Sequence, residues 1–390
     1  MMKTVRYGII GLGNQGSTYN WSIFDKGKAE NAVVTAMCDI NPQKIEIMKE
    51  KTTNTAAVYF TDYQEMLDSG LCDAVLVEVP HYSHPEMVME CLKRGIHVLC
   101  EKPAGVYAAQ VKEMNAAAEK ADALFGMMFN QRTNCVYRKM REMIREGTIG
   151  RIQRVNWIIT NWFRAQDYYD GGQWRATWVG EGGGVLINQA PHQLDLVQWI
   201  VGMMPKSVNG FCKYGHWHDV EVEDEVTAYF EYENGATGVF ITTTGEAPGT
   251  NRLEISGTGG KLLCEGNKLL YYQNEVDSYV QLTSSKDAYK KPTVTVTEVE
   301  TDGKYPKHAG IINNFTAAIL GKEPLFVDGK EGISGVELMN AIEYSGWNGG
   351  AKVELPVDEA LYLKALNEHR AVSRIKGEVA VRVTDTTDSY

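Results

Sequence analysis

No apolar run in this chain of 390 residues approaches the roughly 20 residues that a membrane-spanning helix requires. An excess of cationic side chains is also missing: 39 Lys and Arg stand against 50 Asp and Glu, a formal charge of −11. Nucleic-acid binding asks for the opposite balance, because phosphate contacts are made by Lys and Arg. The seven cysteines (Cys38, Cys72, Cys91, Cys100, Cys135, Cys212 and Cys264) are odd in number, scattered, and never spaced as C-x-x-C. Most lie in apolar runs, as buried free thiols do in a reducing compartment. The first strand-like run begins within a few residues of the start, which leaves no room for a signal peptide, so the expected location is cytoplasmic. Internal repeats and low-complexity tracts are absent as well. What remains is a globular chain long enough for two domains, since single cores rarely grow past about 300 residues.

The most informative segment present is Tyr7-Gly-Ile-Ile-Gly-Leu-Gly-Asn-Gln-Gly-Ser17, an apolar strand running into a glycine-rich turn. Gly11, Gly13 and Gly16 have the G-x-G-x-x-G spacing of a dinucleotide-binding loop. The first glycine permits the tight turn, the second lets backbone approach the pyrophosphate, and the third lets the next helix pack closely on the strand. Leu12, Asn14 and Gln15 complete the loop. A second apolar run, Ala32-Val-Val-Thr-Ala-Met-Cys38, ends in Asp39, at the distance expected of the ribose-binding carboxylate. A carboxylate there accepts hydrogen bonds from ribose hydroxyls and repels a 2′-phosphate. The expected cofactor is therefore NAD, with Lys44 near enough to temper the preference.

Strand-like runs at Val5–Ile10, Val33–Cys38, Ala74–Val79, His97–Cys100 and Ala123–Phe129 alternate with helix patterns at Tyr63–Ser69, Pro85–Arg94 and Ala108–Ala121. Such alternation implies a parallel sheet covered on both faces, with ligands at the carboxyl ends of its strands. After a helix at Val136–Glu146 the period changes to two, in Ile152–Thr160, Val226–Tyr232, Thr237–Thr244, Lys261–Cys264 and Thr293–Glu298, with Asn234-Gly235 as a two-residue hairpin signal. The expected fold class is α/β. A Rossmann doubly wound parallel sheet spans 1–128, an α+β domain with a large, mostly antiparallel open sheet spans 129–370, and a polar tail spans 371–390. Alternate apolar residues in Val226–Tyr232, on a sheet with too few helices to cover it, predict a homodimer or homotetramer through that sheet.

Two segments carry further chemistry. Glu101-Lys102-Pro103 follows a Rossmann strand and faces the crevice, where a lysine can hydrogen-bond the reacting oxygen of an alcohol or carbonyl. Downstream, Trp174-Arg-Ala-Thr-Trp-Val-Gly-Glu-Gly-Gly-Gly-Val-Leu-Ile-Asn-Gln-Ala-Pro-His-Gln-Leu-Asp195 combines a glycine run, Gly182 to Gly184, with a helix starting near Pro191. His192, Asp195 and Trp199 share one face of that helix. Histidine is the side chain best able to exchange a proton near neutral pH.

The GLGNQG loop, the EKP triplet and GGG-x-L-(x)5-H-x-x-D together resemble the Gfo/Idh/MocA oxidoreductases, the family of glucose–fructose oxidoreductase and inositol dehydrogenase, over nearly the whole chain up to about residue 365. The resemblance implies that Lys102 lies by the nicotinamide against the reacting oxygen, that His192 is the general acid/base, and that Asp195 binds substrate. It also implies that Pro80, His81, His84, Glu101 and Asn130 line the cofactor, and that no metal is used. One departure stands out: many members carry Asp four residues before the histidine, and this chain has Asn188, which cannot accept a proton. The Asn188–Asp195 stretch looks more like the glycoside-oxidising subgroup, so the expected substrate is a sugar or glycoside whose secondary hydroxyl is oxidised, with C3 oxidation to a 3-keto-glycoside as one form. Tyr168, Trp174 and Arg175, with Asn188 and Asp195, are the expected substrate contacts, in a segment rich in aromatic rings (Trp157, Trp162, Phe163, Tyr168, Tyr169, Trp174 and Trp178) of the kind that stack on pyranoses. Two other readings stay open: an enzyme that retains NAD for epimerisation or glycosidic cleavage, and a non-enzymatic NAD-sensing regulator.

Overall fold

Strands buried on both faces read as short continuous apolar runs, and in the computed structural model of the protein, which describes residues 3–377, 379–384 and 386, these runs pair in parallel. They are β1 (Val5–Ile10), β2 (Ala32–Cys38), β3 (Val58–Phe60), β4 (Ala74–Val77), β5 (His97–Cys100) and β6 (Phe125–Met127), in the order β3-β2-β1-β4-β5-β6. This is the doubly wound order whose switch point lies between β1 and β4, so ligands bind at the ends of those two strands. The edge strand β3 was not expected from the sequence. It is only three residues long, Val58-Tyr59-Phe60, and none of them is buried. The helix Pro42–Lys51 was also missed: it is charged and buries only Ile45 and Met48, but Asn41 caps it by accepting from the Gln43 amide at 2.9 Å.

The second sheet has nine strands: β7 (Ile152–Ile159), β8 (Ser207–Tyr214), β9 (Glu223–Glu231), β10 (Thr237–Thr243), β11 (Asn251–Gly257), β12 (Gly260–Glu265), β13 (Lys268–Asn274), β14 (Val294–Glu298) and β15 (Val353–Glu354). Their order is β14-β13-β12-β11-β7-β10-β9-β8-β15, antiparallel except for the parallel pair β7 and β10. The period-two pattern exposed only part of this. In β11, for instance, only Leu253 and Ile255 are apolar. The β9–β10 hairpin forms where Asn234-Gly235 predicted it, but through a three-residue connection. Tyr232 and Ala236 still pair, and only Gly235, at φ +82°, takes the left-handed conformation.

Side-chain alternation decides which face of the second sheet is core. Val226, Ala228, Phe230 and Tyr232 point inward and are buried with Trp157 of β7 and Phe240 of β10. Thr227 and Tyr229 point outward, in register with Ile241 and Val239 of β10. The apolar repeat of Val226–Tyr232 therefore belongs to the core and does not make an intersubunit face, contrary to the argument from sequence. The outward rows mix Ile158, Val239 and Ile241 with Arg252 and Glu254.

The helix Pro191–Val201 begins at a proline, is buried along nearly its whole length, and ends at Gly202 with φ +76°. It packs on the helix Gly332–Trp347 and delivers its first turn to the β5–β6 side of the first sheet. The expected tail, 371–390, falls partly outside the described residues. Its described part is not idle. Ser373 and Arg374 bond Glu221, the Lys376 ammonium reaches the Tyr169 carbonyl at 2.8 Å, Thr384 N–H reaches Asn14 Oδ1 at 2.9 Å, and Thr386 N–H reaches Thr18 Oγ1 at 2.9 Å. The tail thus runs from the second domain to the helix that follows the glycine-rich loop.

Candidate active site

The three loop glycines have three different surroundings. A Cβ on Gly11, which lies at φ +96°, would stand 2.2 Å from the Glu78 carbonyl oxygen, and one on Gly16 would stand 2.0 Å from the Gly11 carbonyl oxygen. Both positions are closed to any side chain by backbone packing. A Cβ on Gly13 would meet nothing within 4 Å, so open space lies in front of the backbone where a pyrophosphate must approach. Asp39, 5% exposed, ends β2 with one carboxylate oxygen on the Leu12 amide at 2.8 Å and the other on the Asn41 amide at 2.8 Å, while Lys44 pairs with it at 3.3 Å. Across the crevice, Asn130 is buried with Oδ1 unpartnered, as expected of an amide kept for a ligand. The residues present fit NAD.

His81 is wedged edge-on against Trp174, with ring centroids 5.3 Å apart, and its Nδ1 lies 3.3 Å from the Glu181 carbonyl. His84 differs from the expectation. Its two ring nitrogens face the Pro103 and Val79 carbonyls, each at 2.7 Å, so it ties the β4 and β5 loops together and offers no nitrogen to a cofactor. Pro80 is exposed, next to His81 at the same strand end. Glu101 is buried and accepts from the Tyr19 hydroxyl and from the Lys102 amide at 2.9 Å. Burial raises its carboxyl, and burial together with Glu101 holds the neighbouring Glu78 well above the usual carboxylate range. Both Glu78 oxygens are buried without a partner.

Lys102 leaves β5 and crosses to the second domain, where its ammonium donates to the Asn188 carbonyl at 2.7 Å. Burial lowers Lys102, and the carboxylates of Glu101 and Glu181 oppose that shift. Asn188 closes the short helix Val185–Asn188, immediately before the helix of His192. His192 is buried with Nδ1 unpartnered, and burial, then the Lys102 charge and His308, keep it well below its ordinary value. An imidazole so placed is neutral at pH 7 and able to accept a proton. The Asn188 amide is engaged at both ends, Nδ2 to Glu181 and Oδ1 from the Tyr168 hydroxyl at 3.1 Å. Tyr168 accepts from Arg175 at 2.6 Å, and the Arg175 guanidinium also lies over the Trp174 ring at 4.7 Å. Tyr168, Trp174, Arg175 and Asn188 therefore share one hydrogen-bonded and stacked rim.

Asp195 is not part of that rim. It is fully buried, and both oxygens are taken by the Arg132 guanidinium at 2.7 and 2.6 Å, so it has no free acceptor for a substrate hydroxyl. Arg132 in turn reaches Glu331 at 2.6 Å and lies between the Phe129 and Trp199 rings. The glycine run approaches protein, not ligand: Cβ atoms on Gly182 and Gly184 would collide with Val106 and with the Glu223 carbonyl. Of the aromatic rings, Trp157, Trp162, Tyr169 and Trp178 are buried and Phe163 is exposed. His218 is held by Asp224 at 3.0 Å and by the Arg164 carbonyl at 2.9 Å. Sequence reading missed Glu181, Arg132 and His308. Glu181 did stand beside the glycine run, but His308, which burial pushes down to about 3 and whose ring lies 5.2 Å from Tyr19, comes from a distant helix with no motif around it.

Residues 5–129 match the family profile of oxidoreductases with an NAD-binding Rossmann fold, and residues 137–263 match that of the GFO/IDH/MocA C-terminal domain. Myo-inositol 2-dehydrogenase of Thermotoga maritima is 28% identical over 269 residues, 67% of this chain and 75% of that protein. Trans-1,2-dihydrobenzene-1,2-diol dehydrogenase of Bos taurus is 28% identical over 66% of this chain and 72% of its own. Among solved structures, the WlbA dehydrogenase from Bordetella pertussis, in complex with NADH and UDP-GlcNAcA, superposes with a TM-score of 0.75 at 26% identity, covering 91% of this chain and 100% of that one.

The Arg132–Asp195 fork separates stability from substrate affinity. Asp195→Ala leaves the buried Arg132 guanidinium with Glu331 as its remaining carboxylate partner and should cost at most about 3–5 kcal/mol, read from the urea midpoint. KM should change little. A large rise in KM at unchanged stability would return Asp195 to the substrate.

Proposed function

Because the chain belongs to the Gfo/Idh/MocA family of NAD-binding oxidoreductases, we propose that it is an NAD-dependent dehydrogenase for a secondary hydroxyl, or the corresponding ketone, of a sugar or glycoside. The observation that carries this reading is the meeting of Lys102, from the end of a Rossmann strand, with Asn188 at the head of the His192 helix. The carbohydrate class is supported by the relatives, which include an inositol dehydrogenase and a structure containing UDP-GlcNAcA.

When bound, NAD supplies the hydride acceptor; Gly11, Gly13, Gly16, Asp39 and Asn130 would hold it. Lys102, with two further N–H groups beyond the one given to Asn188, donates to the substrate oxygen and keeps it oriented. His192 takes the hydroxyl proton as the carbonyl forms and returns it in the reverse direction. Asn188 cannot share that proton, because an amide does not accept one near neutral pH. The Tyr168–Trp174–Arg175 rim presents one flat ring, one guanidinium and one phenol to the sugar's faces and hydroxyls. Oligomer formation through the outward face of the second sheet is proposed as well, resting on the mixed apolar rows of β7, β9 and β10.

A second reading, that NAD stays bound through the cycle, is favoured by the tail, which bonds Asn14 and Thr18 beside the glycine-rich loop. Removal of residues after Val372 should speed NAD release in stopped-flow fluorescence at least severalfold. An unchanged release rate, with no NAD(H) copurifying with the full chain, would leave free exchange as the mechanism.

His192→Ala should lower kcat by about 10² to 10⁴, the usual worth of a general base, with NAD affinity nearly unchanged. A screen of sugars, glycosides and their keto forms for NADH absorbance supplies the substrate for that comparison. Because His192 is held below its ordinary value, its unprotonated form persists as pH falls, and the acid limb of kcat/KM should lie below pH 6.5. Near-wild-type turnover in His192→Ala would remove it as the base. For the assembly, light scattering should give a multiple of 43.5 kDa; that mass itself would refute an oligomer.

A further inference from the structure

A buried ammonium is stabilised by the carboxylates that face it, and the one that faces Lys102 from the second domain is Glu181. Glu181 is 1% exposed, immediately ahead of the glycine run whose close packing holds that backbone down. One carboxylate oxygen accepts from the Asn188 side-chain amide, and the other accepts from the Ala176 N–H at 2.5 Å. Asn188 is therefore gripped at both ends: Glu181 holds its amide while its carbonyl receives Lys102 at 2.7 Å. Ala176 sits at φ +52°, a left-handed conformation unfavourable for a residue with a Cβ, and the Glu181 bond holds that turn next to Trp174 and Arg175.

We infer that Glu181 is the positioning residue of this site, the negative charge that keeps Lys102 cationic and the anchor that fixes Asn188 and the Trp174–Arg175 turn around it. The inference deepens the dehydrogenase reading above and rests on it for the role of Lys102.

Glu181 shares the task of keeping Lys102 charged with the Rossmann side, where Glu101 also opposes the lowering of Lys102 while bonded to Tyr19 and to the Lys102 amide, and where the Glu101 charge raises Glu78 further. Arg175 and Arg164 face Lys102 with like charge and favour its neutral form. His81, His84, His192 and His308 face it too, and burial holds all four below their ordinary values, so none adds a cation at neutral pH. Loss of the Glu181 charge leaves Glu101 alone to oppose burial and two guanidinium groups, and the ammonium then gives up its proton at lower pH.

Two substitutions separate charge from shape. E181Q keeps the length and an acceptor for Asn188 but loses the charge, whereas E181D keeps the charge on a shorter stem. The readouts, on the full chain with NAD, are the alkaline limb of kcat/KM and the pH at which the Lys102 amine becomes reactive to acetic anhydride, followed by peptide mass spectrometry. In E181Q both midpoints should move to lower pH by about one unit or more, the scale of losing a nearby opposite charge, with kcat falling further than KM rises. E181D should hold both midpoints near the wild-type pH. A purely structural role predicts damage in both variants with neither midpoint moved, because one amide oxygen cannot accept from both Asn188 and Ala176, and that result overturns the proposal. So does an unmoved acylation midpoint in a folded E181Q. If E181Q does not fold, E181D alone decides: a midpoint at the wild-type pH supports the charge, and a lowered one refutes it. Acylation needs no turnover, so it tests Glu181 independently. Full activity in K102A would instead discard the role given to Lys102.

Discussion

A buried ammonium must be met by oxygen, and in this protein the oxygen that meets Lys102 belongs to Asn188, 2.7 Å away on the other side of the cleft. The rest of the site depends on that constraint. The lysine is fixed to the end of β5, so the Asn188 turn, and the His192 helix that starts just after it, must lie against the Rossmann sheet. Burial keeps the neighbouring His192 and His308 below their ordinary values, and the Lys102 charge adds to that effect. The lowered His192 and the Lys102 bond to Asn188 thus arise from one buried arrangement.

The charges around this contact are layered. Behind Lys102, on the Rossmann side, burial raises Glu78, Glu101 and Tyr19; Glu101 raises Glu78 further and both acids raise Tyr19, while the Tyr19 hydroxyl bond lowers Glu101. In front of it, Glu181 faces Arg175, and Arg175 is stacked on Trp174 and bonded to Tyr168. Farther along the His192 helix, Arg132 and Asp195 close as a buried fork. The first layer shapes the cofactor side, the second reaches the substrate side, and the third holds the helix. Asp195 shows how position in a motif and role in a site can part. It shares a helical face with His192, yet the guanidinium that neutralises it arrives from the 130–133 turn, which lies far away in sequence.

The cofactor half of the site was largely legible in the residues, because its requirements are local. Gly11, Gly13 and Gly16 lie within six residues of chain, and the reasons for them, a left-handed turn, open space and a close backbone crossing, act within one strand–turn–helix unit. Asp39 was legible for the same reason, since β2 lies directly beside β1. Lys102 could be placed because it follows a strand whose carboxyl end faces the crevice. The second sheet was less legible. Strands such as β8 and β11 carry few inward apolar residues, and the half-exposed edge strand β3 carries none that is buried.

By itself, then, the sequence determined the fold class and the NAD-binding loop, because both are written in short-range spacing and in the period of the apolar residues. Tertiary structure alone decided the partners. It set Glu181 on Asn188, Arg132 on Asp195, His308 near Lys102, and both His84 nitrogens on backbone carbonyls. Burial favours the hydrogen-bonded pairings among these, since a buried polar group left without a partner is costly. Which partner it finds depends on how the chain folds back, across 63 residues for Arg132 and Asp195, and no local pattern records that distance.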